Sequence, residues 1–397
     1  MQVAIVTHFP REPNSPRGGV EAVSVNLVRS LARFRDLDLH VVTLGAESDE
    51  PSCSTMDGVT IHRLRGFNGS VLMNSVGRGR QLVSRYIQDL APDVIHAHDT
   101  YGLMVKGVPI PRVFTIHGFI YGDTLVSGKR FPRLRSRIWR FVETSGWRDQ
   151  PHIIAISPYV RERLSGIFDG VVHDIDNAVA ESFFDVSRNE GKGIIFSAAV
   201  ISPRKNTLAL VEAFARLIRS GVDAELRLAG NVVEPAYGQR LLHAIQAYGL
   251  QERVVLLGSI STDQIRAELS RASVFALVSL EENSPMGIEE AMAARVPVVT
   301  SNRCGMPYMV RHGESGFLVN PNDPDDIATR LRYVLQNDAL RKSMGNKSRE
   351  IAVDRFHPES VARRTRDVYY EASGRIADAD SCPTNVATPA PVSDDSD

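Results

Sequence analysis

Short runs of β-branched and aliphatic residues alternate with longer amphipathic segments along most of the chain. QVAIVTH (2–8), LHVVTL (39–44), VTIHRL (59–64), DVIHAH (93–98), RVFTIHG (112–118) and HIIAIS (152–157) predict strands. Between them, stretches such as VEAVSVNLVRSLARF (20–34) place apolar residues at helical spacing. The strands are nearly continuous in apolar residues, as in a parallel sheet covered on both faces. A second series follows: GIIFSAA (193–199), AELRLAG (224–230), RVVLLG (253–258), SVFALVS (273–279) and VPVVTS (296–301), with helical stretches at 206–220 and 263–272. The polar, glycine-ended stretch ESFFDVSRNEGKG (181–193) marks the joint. The pattern predicts an α/β protein of two Rossmann-like, doubly wound parallel-sheet domains facing a cleft, with ligands at the carboxyl ends of the strands. The boundaries read as 1–185 and 186–355, followed by a helix at 356–374. Residues 375–397, rich in Pro, Ser, Asp and Ala without apolar periodicity, read as a disordered tail.

Composition narrows the function classes. The chain has 397 residues, 46 Lys and Arg against 47 Asp and Glu, so no whole-chain field points to a polyanionic partner, and no nucleic-acid motif is present. Cys53, Cys304 and Cys382 lie far apart without a C-x-x-C, which favours a reducing compartment and argues against a structural zinc site. The opening MQVAIVTHFP lacks the basic leader of a signal peptide, and no apolar run reaches membrane-spanning length. These features point to a cytoplasmic protein whose membrane contact, if any, is peripheral.

Residues 279–300, SLEENSPMGIEEAMAARVPVVT, carry the candidate chemistry. SVFALVS reads as a strand and IEEAMAA as the start of a helix, so the loop between them lies at a strand's carboxyl end beside a helix N-terminus. Unpaired backbone N–H groups and the positive dipole end suit a phosphate there, and Gly287 reads as a point of close ligand approach. Two adjacent glutamate pairs, Glu281/Glu282 and Glu289/Glu290, stand eight residues apart. As dipole-complementing acids they need no further role. The words Glu290-Ala291-Met292-Ala293 and Pro297-Val298-Val299, however, resemble the E-x7-E signature of glycosyltransferase family 4, whose members are retaining nucleotide-sugar glycosyltransferases of the GT-B fold. That register selects Glu282 and Glu290 and leaves Glu281 and Glu289 as neighbours.

The resemblance implies that Glu290 accepts hydrogen bonds from the ribose hydroxyls, that Glu282 faces the donor sugar, and that backbone N–H groups at Met286, Gly287 and Ile288 hold the diphosphate. In ISPRKNTLAL (201–210), Lys205 resembles the family lysine that neutralises the departing nucleoside diphosphate. The family's G-R-L is replaced by Ala199-Val200-Ile201, so Arg204 is the candidate for the second cation. Gly18 and Gly19 resemble a glycine loop that approaches the donor across the cleft, and the lead-in HFPREPNSPRGG (8–19) reads as a mobile loop. His117 in FTIHGF matches a family histidine near the donor sugar and acceptor. His96 and His98 read as packing and acceptor-loop residues rather than a metal pair. Ser157, Asn177, Gly230, Gly305, Gly313 and Gly316 fall in stretches that match family landmarks, whereas Ala178 and Arg295 stand where glycine is usual.

The resemblance therefore implies an acceptor-binding first domain, a nucleotide-sugar-binding second domain, and a final helix crossing back to the first. The implied activity is a retaining hexosyltransferase. It would move sugar from a UDP- or GDP-sugar to a hydroxyl on a carbohydrate or lipid-linked acceptor, in polysaccharide or glycolipid assembly, with no metal and no other cofactor. Two alternatives stay open: a catalytically silent assembly protein, for which Val200 and Arg295 speak, and a sugar-nucleotide epimerase or phosphorylase on the same fold. Finally, GKRFPRLRSRIWRFVETSGWR (128–148) carries Lys129 and six arginines against one glutamate. As a helix it groups Leu134, Ile138, Phe141 and Val142 beside Arg133, Arg137 and Arg140, which suits either an anionic membrane at its inner face or an ordinary packed helix with a basic rim.

Overall fold

The computed structural model describes residues 1–16, 18–46, 50–127 and 130–376. The tail from 377, Lys129 of the basic segment and Arg17 of the lead-in loop lie outside the described residues. The first sheet contains β1 (Gln2–Val6), β2 (Asp38–Ala46), β3 (Ser52–Met56), β4 (Val59–Arg65), β5 (Val94–His98), β6 (Arg112–Ile116), β7 (His152–Ala155) and β8 (Val171–Asp174), in the order β3-β4-β2-β1-β5-β6-β7-β8. The second contains β9 (Ile194–Ala198), β10 (Glu225–Ala229), β11 (Val254–Gly258), β12 (Val274–Leu277), β13 (Val298–Ser301) and β14 (Gly316–Val319), in the order β11-β10-β9-β12-β13-β14.

All pairings are parallel except β3 with β4. That exception is a hairpin turned by Asp57 and Gly58 at φ 51° and 81°, the left-handed conformations a two-residue turn requires. β1 sits mid-sheet, and Val3, Ala4, Ile5 and Val6 are completely buried, which is why this segment is unbroken in apolar residues. Each larger aliphatic side chain so buried contributes roughly 1.5–3 kcal/mol. β3, β8 and β14 escaped the sequence pattern because they are short and lie at sheet edges. β3 is almost wholly exposed and has no apolar run to betray it.

Strand order reverses direction between β1 and β5 and between β9 and β12. Such reversals open a crevice at the strands' carboxyl ends, and the candidate residues gather there. Helix Pro358–Ser373 returns the chain to the first domain, packing on helix Gly19–Leu31. Its Tyr369 hydroxyl meets His96 Nδ1 at 2.7 Å, and Arg366, almost buried, pairs with Asp36 at 2.7 Å.

Candidate active site

The four glutamates occupy four different environments. Glu282 is buried, and both Lys205 and Arg204 close on its Oε1, the arginine at 3.1 Å. Burial alone pushes the Glu282 carboxyl up, but Lys205 and Arg204 more than offset this and leave it below its usual value. Burial likewise lowers the Lys205 ammonium, opposed by Glu282. The turn after β9 presents these cations because Asn206 adopts a left-handed φ of 58° and its amide ties to the Val278 and Pro321 carbonyls at 3.2 and 2.7 Å. Arg204 thus points into the same site as Lys205, supplying a cation where Val200 lacks one. It also reaches across the cleft to Asp123 at 3.6 Å and donates to the Glu281 carbonyl at 3.0 Å.

Glu281 accepts from the Tyr159 hydroxyl at 2.9 Å and from the Cys304 thiol at 3.1 Å. It therefore docks the second domain onto the first. Glu289 is wholly buried and turned inward. Ser284 Oγ and Asn177 Nδ2 donate to its Oε1 at 2.6 and 3.3 Å, while Oε2 has no partner among the described residues. Burial pushes its carboxyl up to about 8. Glu290 is half-buried, and among the described residues its carboxylate has no hydrogen bond or ion pair. Burial raises it to about 8 as well. A desolvated carboxyl without an internal partner, beside a helix N-terminus, is what an external diol donor would complete.

Helix Met286–Ala293 begins after Pro285 without a side-chain cap. Ile288 N already donates to the Pro285 carbonyl at 3.0 Å, so of the three amides named from sequence, those of Met286 and Gly287 remain without an intrahelical acceptor. A Cβ on Gly287 would lie 3.0 Å from both the Ala198 carbonyl and the Phe275 ring, so its bare Cα serves close packing of helix on sheet. Helix Gly19–Leu31 meets this helix end to end across the cleft: a Cβ on Gly19 would lie 3.9 Å from Met286 Cγ, and one on Gly18 would meet open space. The lead-in loop is anchored where it is described, through Arg63 to the Phe9 carbonyl at 3.0 Å and Arg11 to the Gly45 carbonyl at 3.1 Å.

His117 follows β6 at the cleft. Its backbone N–H donates to Asp99 at 2.9 Å and its Nε2 faces His98 Nδ1 at 2.9 Å. Burial lowers the His117 ring below its usual value, with Asp99 and Asn177 opposing. His96 is a packing residue, held between Tyr369 and Thr115 at 2.7 Å each, and burial brings it down to about 3.

Sequence assigns no individual role to Asp123, Tyr159 or Cys304, since each becomes part of the site only through contacts distant in the chain. Gly305 was legible only as a family landmark. A Cβ there would lie 1.6 Å from the Asn283 carbonyl, and its N–H donates to the Glu282 carbonyl at 2.8 Å, so it holds the glutamate loop in place. Arg295 adopts φ 58°, which explains why glycine suits that position, and its side chain is exposed rather than forced inward.

The basic helix, Pro132–Trp147, buries Ser136, Trp139, Glu143, Gly146 and Trp147. Glu143 accepts from the N–H groups of Ile120 and Tyr121 at 2.9 and 3.0 Å. The apolar face lies outward instead: Phe141 is 76% and Leu134 60% exposed, beside exposed Phe131, Ile138 and Leu125 and exposed Arg133, Arg137 and Arg140. No described helix is long and apolar enough to cross a membrane.

Family comparison agrees with this arrangement. A model described as Glycosyltransferase Family 4 matches residues 17–181, and one described as Glycosyl transferases group 1 matches 179–351. The chain is 30% identical to D-inositol 3-phosphate glycosyltransferase of a Nocardioides species, over 91% of this chain and 87% of the other. Among solved structures, sucrose-phosphate synthase from Thermosynechococcus elongatus superposes with a TM-score of 0.80 at 19% identity, covering 93% and 98% of the two chains. Anabaena HepE in complex with UDP-glucose superposes with a TM-score of 0.67 at 17% identity, covering 94% and 100%. With both halves of the chain matched in order and a relative 30% identical over nearly its whole length, the chain belongs to glycosyltransferase family 4 and has the GT-B fold.

Proposed function

We propose that this glycosyltransferase is a retaining enzyme that transfers a hexosyl group from a UDP- or GDP-sugar to a hydroxyl of a carbohydrate or lipid-linked acceptor. The carrying observation is the division of labour between Glu282, clamped by Lys205 and Arg204, and Glu290, left without an internal partner. On this reading Glu290 grips the ribose diol. The diphosphate lies between the N-termini of the Met286 and Gly19 helices, where two sets of backbone N–H groups converge. Lys205 and Arg204 exchange part of their contact with Glu282 for the diphosphate, stabilising charge as the glycosidic bond to phosphate breaks. Glu282 faces the sugar and favours positive charge at the anomeric carbon.

His117, uncharged because burial lowers its pKa, orients a sugar hydroxyl by hydrogen bonding. The acceptor hydroxyl attacks from the face the diphosphate leaves, and a diphosphate oxygen takes its proton. Retention rests on the family resemblance, and no residue here is assigned as a metal ligand for the reaction. HepE's complex with UDP-glucose supports a nucleotide-sugar donor. The test is release of UDP or GDP from a panel of sugar nucleotides by wild type and Lys205→Ala. Slow hydrolysis of one donor, lost in the variant, supports the reading. Neither release nor binding of any donor would sink it. With an acceptor in hand, the anomeric proton coupling of the product reads out retention or inversion.

The outward apolar face of the Pro132 helix extends the proposal to a peripheral contact with an anionic bilayer, as for an enzyme of glycolipid or polysaccharide assembly working at a membrane's inner face. Exposed arginines beside the surface add about 1 kcal/mol each on anionic lipid, and Phe141 and Leu134 supply the inserted area. Co-sedimentation with phosphatidylglycerol vesicles, absent with phosphatidylcholine and lost in Phe141→Glu, is the expected result. Equal binding to both lipids, or none, would refute it.

A further inference from the structure

A cluster at the outer edge of the first sheet has metal-ligating chemistry that the transferase reaction does not use. His152 opens β7, His173 lies on the neighbouring strand β8, and Glu371 projects from the last turns of the returning helix Pro358–Ser373. One nitrogen of each histidine and a carboxylate oxygen of Glu371 lie within 4.8 Å of one another. His152 Nδ1 and His173 Nε2 are 3.1 Å apart, with the rings stacked at 19°.

That separation fits a shared proton. It equally fits two nitrogens on one tetrahedral ion, which at about 2.0–2.1 Å from each ligand hold them roughly 3.3 Å apart. Among the described residues the Glu371 carboxylate makes no hydrogen bond or ion pair. The nearby cation, Arg161, is already taken up by Asp174 at 2.7 Å. His152 and His173 are half-buried and Glu371 is exposed, leaving room for water as a fourth ligand.

We propose that His152, His173 and Glu371 form a binding site for Zn2+ or a similar borderline divalent cation. Two imidazoles and a carboxylate are a donor set such ions prefer to calcium or magnesium. The ion ties the end of the returning helix to the edge of the first sheet. It plays no part in transfer: His152 on β7 and His173 on β8 stand one and two strands away from β6, which leads into His117, and His173 is level with Ile154. At about 4.8 Å between neighbouring strands this sets the site roughly 5–10 Å across the sheet from β6.

The test uses the full-length, untagged chain stripped of metal. It is titrated calorimetrically with Zn2+ and followed by the visible spectrum of Co2+. The expected result is one equivalent bound, with a Zn2+-dependent rise in melting temperature. His173→Gln and Glu371→Gln should each weaken binding by more than the roughly tenfold that loss of an outer partner costs. Both should melt like wild type without metal and show no rise with it. No binding would overturn the proposal. So would binding that both variants retain, which would place the ion elsewhere, for example at Cys53 and His62, 3.3 Å apart.

Discussion

Glu289 and Glu290 are adjacent in sequence, and burial raises both to about 8, yet substitution should separate them. Glu289 is wholly buried, so its raised pKa is a statement about stability. Its folded value, about 8, lies above the ordinary 4.5. The folded protein therefore holds a proton that the unfolded chain releases between those limits. Its contribution to stability is complete below the unfolded value and is lost as pH rises toward 8. Each pH unit in that window costs about 1.4 kcal/mol, so moving from pH 5 to pH 7.5 removes on the order of 3 kcal/mol through this one group.

Gln cannot ionise. In Glu289→Gln the amide oxygen can still accept from Ser284 and Asn177, and the NH2 replaces the protonated Oε2. The variant should match wild type near pH 5 and exceed it near pH 7.5 by a sizeable part of that amount. Urea unfolding at the two pH values measures it, and the difference between the proteins cancels the other titrating groups. Parallel pH dependences would show that Glu289 is ionised in the folded state and that the reasoning from burial is wrong.

Asp123 pairs with Arg204 across the cleft, and burial lifts its carboxyl to about 6. Below that pH it loses its charge, so the advantage of Asp123→Asn over wild type in binding an anionic nucleotide should shrink as pH falls from 7.5 to 5.5, a comparison that cancels the protonation of Glu290. Asp123→Asn should bind up to about fivefold tighter at pH 7.5, the factor that ~1 kcal/mol of exposed pairing represents, and calorimetry showing an unchanged pH slope in the variant would refute this. Gly305→Ala forces its new methyl against the Asn283 carbonyl. It should cost about 1–3 kcal/mol in denaturant unfolding and lose nucleotide binding with it, whereas an unchanged unfolding midpoint would show that the loop relaxes freely.

Much of the architecture was legible because buried parallel strands carry unbroken apolar runs, whereas the edge strands β3, β8 and β14 carry short or polar ones. The register of the glutamates was legible too, since the residues around Glu290 and Pro297 fix which pair matters. What each glutamate touches was not. Glu281 meets Tyr159 across 122 positions of sequence, and the Asp123–Arg204 contact likewise exists only once the domains face each other. Amphipathic spacing found the basic helix but not its orientation. The chain buries the face bearing Ser136, Glu143 and Gly146, because Glu143 caps the helix beginning at Ile120, and this leaves Phe141 and Leu134 outside. A glycine required by packing and one required by a ligand look alike in sequence, and only the structure shows that a Cβ on Gly287 would strike Ala198 and Phe275.

The most direct test of the site is calorimetric titration of UDP and of GDP into wild type, Glu290→Gln and Glu289→Gln near pH 8. One nucleotide should bind wild type. Glu290→Gln should weaken it at least about tenfold, as loss of hydrogen bonds to a charged group worth roughly 1.5–3 kcal/mol implies, while Glu289→Gln should stay within about twofold, because its carboxyl makes its bonds inside the protein rather than to the ligand. Loss of binding in Glu289→Gln with retention in Glu290→Gln would contradict the assignment of the pair.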